Sequence, residues 1–415
     1  MSAIPAAAPA RSDRGLARRL ARTERATKLR AIALTLPLLL FLLATFVGPI
    51  GALLTKSVVD TDVARILPRV TSALRGWDGR ELPPDAAWAA LADDVRAARA
   101  DGTLASAATR LNYDVTGYRS LLFATGRQLP ERLEDSARQT LLAIDPRWGE
   151  RETWGAIKRA SGPATDFFLL AAVDLKRDAE GHVTREKDDE TVFRIILGRT
   201  LWISGMVTLI CLLLGYPTAW YLSQQTDRKA AILLFLVLLP FWTSLLVRTV
   251  AWVVLLQREG IVNDALMTAG LITEPLRMIF NRFAVYAAMV HVLLPFMILP
   301  LYSVMKAIPP SYLRAAASLG APPLLAWLRV YLPQTLPGIG AGCLMVFIQA
   351  LGYYVTPALV GGADDQMISY FIAFYASKTI NWGMAAALAL ILLGSTMALY
   401  AVYQRFVGLD RVRLG

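Results

Sequence analysis

The chain has no nucleotide-binding loop. Gly, four residues, Gly-Lys-Ser/Thr occurs nowhere in its 415 residues, so the backbone cradle that usually holds ATP phosphates is missing. A His-Glu-x-x-His zinc helix and a Gly-x-Ser-x-Gly nucleophile turn are missing as well. The two cysteines, Cys211 and Cys343, lie in apolar runs; they imply no disulfide framework and have no metal-ligand company. The two histidines, His182 and His291, are isolated, and His291 reads as a hydrogen-bonded structural histidine ahead of a ligand. No metal, cofactor or catalytic residue is therefore expected, and any energy must come from a partner or a gradient.

Acids are missing from every long apolar run. A gradient-driven secondary transporter, the rival reading for this composition, should show paired acids in its spans and repeats with broken helices. A membrane-embedded hydrolase lacks any catalytic constellation.

What is present is apolar residue and positive charge. The chain is 55% hydrophobic with a mean hydropathy of +0.46, against about 45–50% apolar in an ordinary soluble domain. The net charge of +11 gathers at the edges of apolar runs, which argues for a membrane and against nucleic acid. Residues 1–30 are basic and open with an Ala/Pro-rich stretch expected to lack fixed structure. Ala31–Leu54 is about long enough to span a bilayer, and longer than a signal peptide's apolar core. Five more spans are expected at Ile195–Leu222, Ala230–Leu256, Phe283–Met305, Leu336–Val360 and Met384–Val407. The predicted fold class is all-α: a polytopic membrane protein with six transmembrane helices.

Residues 56–192 differ in kind. They are polar, nearly balanced in charge and without a spanning run. Helical patterns appear at Ala86–Ala100, Tyr118–Phe123, Glu131–Leu142 and Trp154–Ala160, and Asp178–Gly181 reads as a turn. Trp148, Trp154, Phe167 and Phe168 suit a core better than a binding site. This is read as a mostly helical extracytoplasmic insertion after the first span.

Basic residues fix the orientation. Loops on one side carry Arg228 and Lys229, then Lys306, Arg314 and Arg329, then Arg405, Arg411 and Arg413; loops on the other are balanced or acidic. Both termini are therefore expected in the cytoplasm. Gln257–Arg282, too short and polar to span, reads as a surface-lying helix.

Ser311–Ile339 reads as an elbow of two short helices. Ser311 is placed to cap the first, Gly320 stops it, Pro322 suits the start of the second, and Pro333 is expected to end it. This stretch resembles the cytoplasmic coupling loop, or EAA motif, of permease subunits in binding-protein-dependent ABC importers. The family form is Glu-Ala-Ala, three residues, Gly, nine residues, an aliphatic residue, any residue, Leu-Pro. Ala315 and Ala316 match the alanines, Gly320 the glycine, and Val330, Leu332 and Pro333 the tail; Arg314 stands where the family usually has Glu. The stretches at residues 200–204, 213–219, 238–243, 291–297 and 354–362 are similar to the spermidine/putrescine-type branch.

The resemblance implies a permease core at 193–410 with its coupling loop at 307–333. It implies two ATP-binding subunits, a second permease subunit expected to be a different chain, and a periplasmic solute-binding protein. It implies a bacterial inner-membrane location and a polyamine or related small amine as solute. The chain would not itself be an enzyme. Arg248, a charge inside a span, and Gln349, Tyr353, Tyr354 and Thr356 in another are the candidate solute path; interhelical hydrogen bonding is the alternative for the last four.

Overall fold

The computed structural model describes residues 32–132, 136–178, 181–186 and 191–407. The expectations for residues 1–30 lie outside them. Residues up to Thr55 and from Lys56 onward form separate compact units. In the first, helix α1 (Ile32–Thr55) is apolar and has no buried side chain.

The second unit opens with short helices: α2 (Asp62–Ile66), α3 (Pro68–Ala73), α4 (Asp85–Ala100), α5 (Leu104–Asp114), α6 (Tyr118–Gln128), α7 (Ala137–Ile144), α8 (Arg151–Arg159) and α9 (Phe167–Ala171). Their common core is built on Trp88, Trp148 and Trp154, all fully buried. Trp88 and Trp148 lie against Trp154 at centroid distances of 4.7 and 5.5 Å. Each indole N–H is satisfied, by the Pro83 carbonyl, the Thr125 hydroxyl and the Trp148 carbonyl respectively, which is what lets such large rings be buried. Asp94, also buried, accepts the backbone N–H groups of Arg69 and Val70 and so caps α3.

A two-stranded hairpin, β1 (Leu175–Arg177) with β2 (Val183–Arg185), follows. It lay hidden behind the expected turn; Gly181 N–H does bond the Asp178 carbonyl, while residues 179–180 lie outside the described set. Asp174 then joins this region to the first core helix, α10 (Phe193–Ser223). Its carboxylate accepts the N–H groups of Val192, Phe193 and Arg194 at 2.8–3.0 Å, filling the donors a helix start leaves open. Those bonds hold Asp174 at φ 58°.

The core continues with α11 (Asp227–Leu238), α12 (Leu245–Leu256), α13 (Ile261–Thr268), α14 (Arg282–Ala307), α15 (Ser311–Ser318), α16 (Pro323–Ala326), α17 (Leu332–Gly352), α18 (Val355–Val360), α19 (Ile368–Ser377) and α20 (Trp382–Val407). Helices α10, α14 and α17 pack around Met297, and a Cβ at Gly215 or Gly342 would come within 2.8 Å of its side chain. Among the described residues, five helices are long and apolar enough to span a membrane, and six if one bent pair counts as a single span.

That pair corrects one expected span. The expected span at 230–256 is broken: the segments Asp227–Trp242 and Leu245–Thr268 are bent by 93° at the break between them, where Pro240 cannot donate to the helix ladder and the chain turns extended at Thr243 and Ser244. The expected Leu336–Val360 helix breaks likewise at Tyr353 and Tyr354. Gly361–Gly383, expected as a loop, contains α19, held to α10 by Ile368 N–H on the Thr200 hydroxyl. The helix expected from Glu131 begins at Ala137, capped by Ser136. Between Gln257 and Arg282 only α13 is helical; the Asn263 side chain pins the rest through Gln257 and Leu276.

Candidate coupling elbow and translocation path

Helix α15 starts from Pro310, and Ser311 makes no side-chain cap, so that expectation is corrected: Pro310 already has helical dihedrals and leaves Ser311 inside the first turn. Its end is the Gly320 turn. Gly320 N–H bonds the Ala317 carbonyl and Ala321 N–H the Ala316 carbonyl, at 3.0 and 3.1 Å, with Gly320 at φ 82°. This is the Schellman arrangement, which needs a left-handed residue at that position. A Cβ there would meet nothing within 4 Å, so backbone conformation alone selects glycine.

Pro333 does not end the second helix. A π-turn at Trp327–Tyr331 precedes it, Leu332 N–H reaches back to the Trp327 carbonyl, and the helix runs on to Gly352. The widened turn absorbs the missing donor and the ring's bulk. The same device precedes Pro49, where Gly48 N–H reaches the Leu43 carbonyl.

Anchoring and presentation divide the elbow. Leu313, Trp327 and Tyr331 pack into the bundle core, with Trp327 edge-on to Tyr216 and the Tyr216 hydroxyl 3.3 Å from that of Thr335. Val330 and Leu332 are half-buried, as is Ala316; Arg314, Ala315, Gly320 and Pro333 are exposed. The most exposed apolar groups are Leu319 at 89% and Leu324 at 69%, flanking the turn. Sequence reasoning named the small residues and missed these two leucines, whose exposure only the fold reveals.

The path candidates divide as well. Thr249 and Thr356 are buried and their hydroxyls lie 3.2 Å apart, joining α12 to α18. Arg248, one residue from Thr249, is half-buried with Nε and Nη1 cut off from solvent and without an acceptor among the described residues. Tyr353 and His291 lie within its electrostatic reach. Trp252 donates its indole N–H to His291 Nδ1 at 3.2 Å. Gln349 and Tyr354 are instead exposed. Sequence order gives no link between His291 and Arg248; its place on α14, against Trp252, brings it here.

Residues 201–408 match the family described as the binding-protein-dependent transport system inner membrane component. The chain belongs to this family. The permease is 39% identical over 248 residues to the spermidine/putrescine transport system permease protein PotB of Haemophilus influenzae, covering 58% of this chain and 86% of that one. It is 37% identical to PotB of Escherichia coli K12, covering 49% and 74%. It is 35% identical to the inner membrane ABC transporter permease protein YdcU of the same organism, covering 51% and 70%. This permease is thus a multi-pass inner-membrane protein and not an enzyme. Membership implies ATPase, second-permease and binding-protein partners.

Proposed function

We propose that this permease forms half of the solute path of an ABC importer for a small amine, a polyamine or a close relative. The substrate class rests on the similarity to the PotB relatives, which are spermidine/putrescine permeases. A binding protein delivers solute outside, and two ATPase subunits supply the energy. A second permease, a different chain, completes the path. Elbow residues Arg314, Ala315, Ala316 and Gly320 meet the ATPase, and Val330, Leu332 and Pro333 carry its motion into α17. Arg248, Tyr353 and Thr356 belong to the path, while Gln349 and Tyr354 face the second permease.

The observation that carries the coupling role is the exposed Leu319–Gly320–Leu324 surface. Two large apolar groups beside a fixed turn mark a docking site, and their anchored neighbours make the turn rigid enough to transmit a push. We place the elbow and both termini in the cytoplasm, residues 56–192 outside as an insertion, and the importer core at 193–410. The test is reconstitution of the permease with its ATPase, second permease and binding protein in liposomes. ATP-dependent solute uptake is expected; uptake that follows an ion gradient and ignores ATP would reject the reading.

A further inference from the structure

A cleft of about 510 Å³ separates the region after α1 from the α19–α20 turn. That volume is within the range of small-molecule pockets, about 300–1,000 Å³. One wall is fixed by Arg110, which is ion-paired to buried Asp60 and lies over the rings of Phe167 and Phe168. Two lining residues set the depth of the cleft. Trp382 is the first residue of α20, a helix long and apolar enough to span a membrane. Lys56 is the residue that follows α1 in the chain. Tryptophan and lysine at the ends of spans sit at the level of lipid headgroups.

The rim is apolar and the interior polar. Ile380 is 68% exposed and Trp382 48%. The turn holds Ile380 at φ 55°, where a β-branched residue is rare. Facing water, this pair carries a hydration cost; facing acyl chains, it does not. Inside the cleft, Asn381 is 6% exposed. Its Oδ1 accepts the Met384 N–H and so caps α20. Its Nδ2–H₂ group, not sealed from solvent, has no acceptor among the described residues. A buried amide donor open to a cleft calls for an acceptor there. Lys56 is exposed and makes no ion pair among the described residues. Asp62 gives one carboxylate oxygen to exposed Arg65 and keeps the other. Donors suited to a phosphate, an acceptor suited to an ammonium and an apolar rim therefore line one cleft.

We propose that this cleft seats the headgroup of an outer-leaflet phospholipid that carries a primary amine. The phosphate meets Lys56 and the Asn381 Nδ2–H₂ group, the ammonium meets Asp62, and the acyl chains leave past Ile380 and Trp382. Phospholipid is the ligand always abundant at that depth, so contacts of modest strength suffice to fill the site. A seated lipid ties the region after α1 to the start of α20. The proposal rests on the placement of residues 56–192 outside the membrane, and on neither the solute nor the ATPase.

Native mass spectrometry of the complete, delipidated complex is the experiment. The probes are phosphatidylethanolamine, phosphatidylcholine and phosphatidylglycerol with identical acyl chains. We expect the first ethanolamine lipid to bind at least fivefold more tightly than either of the others. Choline has no N–H to donate, and glycerol brings no positive charge to Asp62. Asn381→Asp keeps the oxygen that caps α20 and sets a negative charge against the phosphate; it should weaken binding at least tenfold. Lys56→Gln, at an exposed position, should weaken it several-fold, and Asp62→Asn should remove the preference among the three lipids. Equal binding of the three by the wild type overturns the proposal. So does wild-type affinity in both Asn381→Asp and Lys56→Gln, which would mark ordinary annular lipid. Glycerophosphoethanolamine, the same head without chains, should not displace the lipid at equal concentration. If it does, the cleft takes a soluble phosphoester and the lipid assignment fails. None of these failures touches ATP-driven uptake, which tests the importer reading separately.

Discussion

Gly320 concentrates the elbow's demands in one backbone conformation. Its left-handed φ of 82° costs a residue with a Cβ about 1–2 kcal/mol, and a β-branched one more. Gly320→Val should therefore insert normally yet uncouple: solute-stimulated ATP hydrolysis by the assembled complex should fall at least tenfold, while Gly320→Asn, which tolerates this region better, should keep more. Normal stimulation in a Gly320→Val complex that still holds its ATPase would count against the coupling role. Leu319→Ser and Leu324→Ser should reduce ATPase co-purification, since each removes apolar area that has no use in this chain alone. Arg314 is exposed and replaces the family's usual acid, so its partner surface should have changed with it. Arg314→Glu is expected to weaken co-purification and Arg314→Lys to spare it; equal retention of the ATPase by both would show that the charge meets lipid.

At the scale of elements, the region beginning at Lys56 is wedged onto the α19–α20 turn. Phe168 on α9 lies over Gly383, where a Cβ would come within 2.4 Å of its ring. Arg110 also lies over that ring, 4.9 Å from its centroid, and is itself ion-paired to buried Asp60. With the ring packed against both groups, Gly383→Ala should destabilise by roughly 1–3 kcal/mol. Gly394→Ala, with open space around it, should be neutral or slightly stabilising in mid-helix. Thermal melting of the purified permease measures both, and Phe168→Ala should relieve most of the Gly383→Ala penalty if the wedge is the cause.

The same region should weaken in acid. Hydrogen bonds from Arg147 and Arg177 hold the carboxyls of Asp145 and Asp166 below the usual range. Their contributions are present above the unfolded value of about 3.9 and are lost as pH falls through the lower folded values. Asp94 works in the opposite sense: burial raises it, so its contribution is complete below about 3.9 and fades as pH rises through its folded value. Asp145→Asn with Asp166→Asn should flatten the acid limb of a tryptophan-fluorescence unfolding curve; an unchanged limb would refute the assignment.

Much of this element scale could be read from residue order. Length and unbroken apolarity located α10, α14 and α20 to within a few residues, because a bilayer-length run of apolar side chains has few other uses. The breaks could not be read so well. Hydropathy averages across Thr243 and Ser244, and a proline such as Pro333 can stop a helix or be absorbed by a π-turn, depending on dihedrals set by packing. Helix α19 is shorter than any spanning window, and three-residue strands carry too little alternation to register. At the elbow, spacing revealed the turn because glycine has one backbone reason to be there. The apolar docking groups beside it, and the grouping of His291 with Arg248, depend on the tertiary arrangement.

For the whole molecule the question is which end of the bundle faces the cytoplasm. Arg228, Lys229, Lys306, Arg314 and Arg329 gather at the ends that carry the elbow, whereas the opposite loops hold Asp364 and Asp365. Positive charge is retained on the cytoplasmic side during insertion, and the long polar stretch after α1 is exempt from that count because large domains translocate regardless of charge. Cysteine labelling tests the assignment, and the packing chooses the positions. Gly361 is unsuitable, since a Cβ there would meet the Pro357 carbonyl at 2.6 Å, whereas Ala363, Ser120 and Ser318 are exposed. The natural thiols are buried at Cys211 and half-buried at Cys343, so a background with both changed to Ala removes them. In intact spheroplasts an impermeant maleimide should label Ala363→Cys and Ser120→Cys, and should reach Ser318→Cys only after the membrane is opened. The reverse order would invert the molecule and put the elbow out of reach of any ATP-hydrolysing partner.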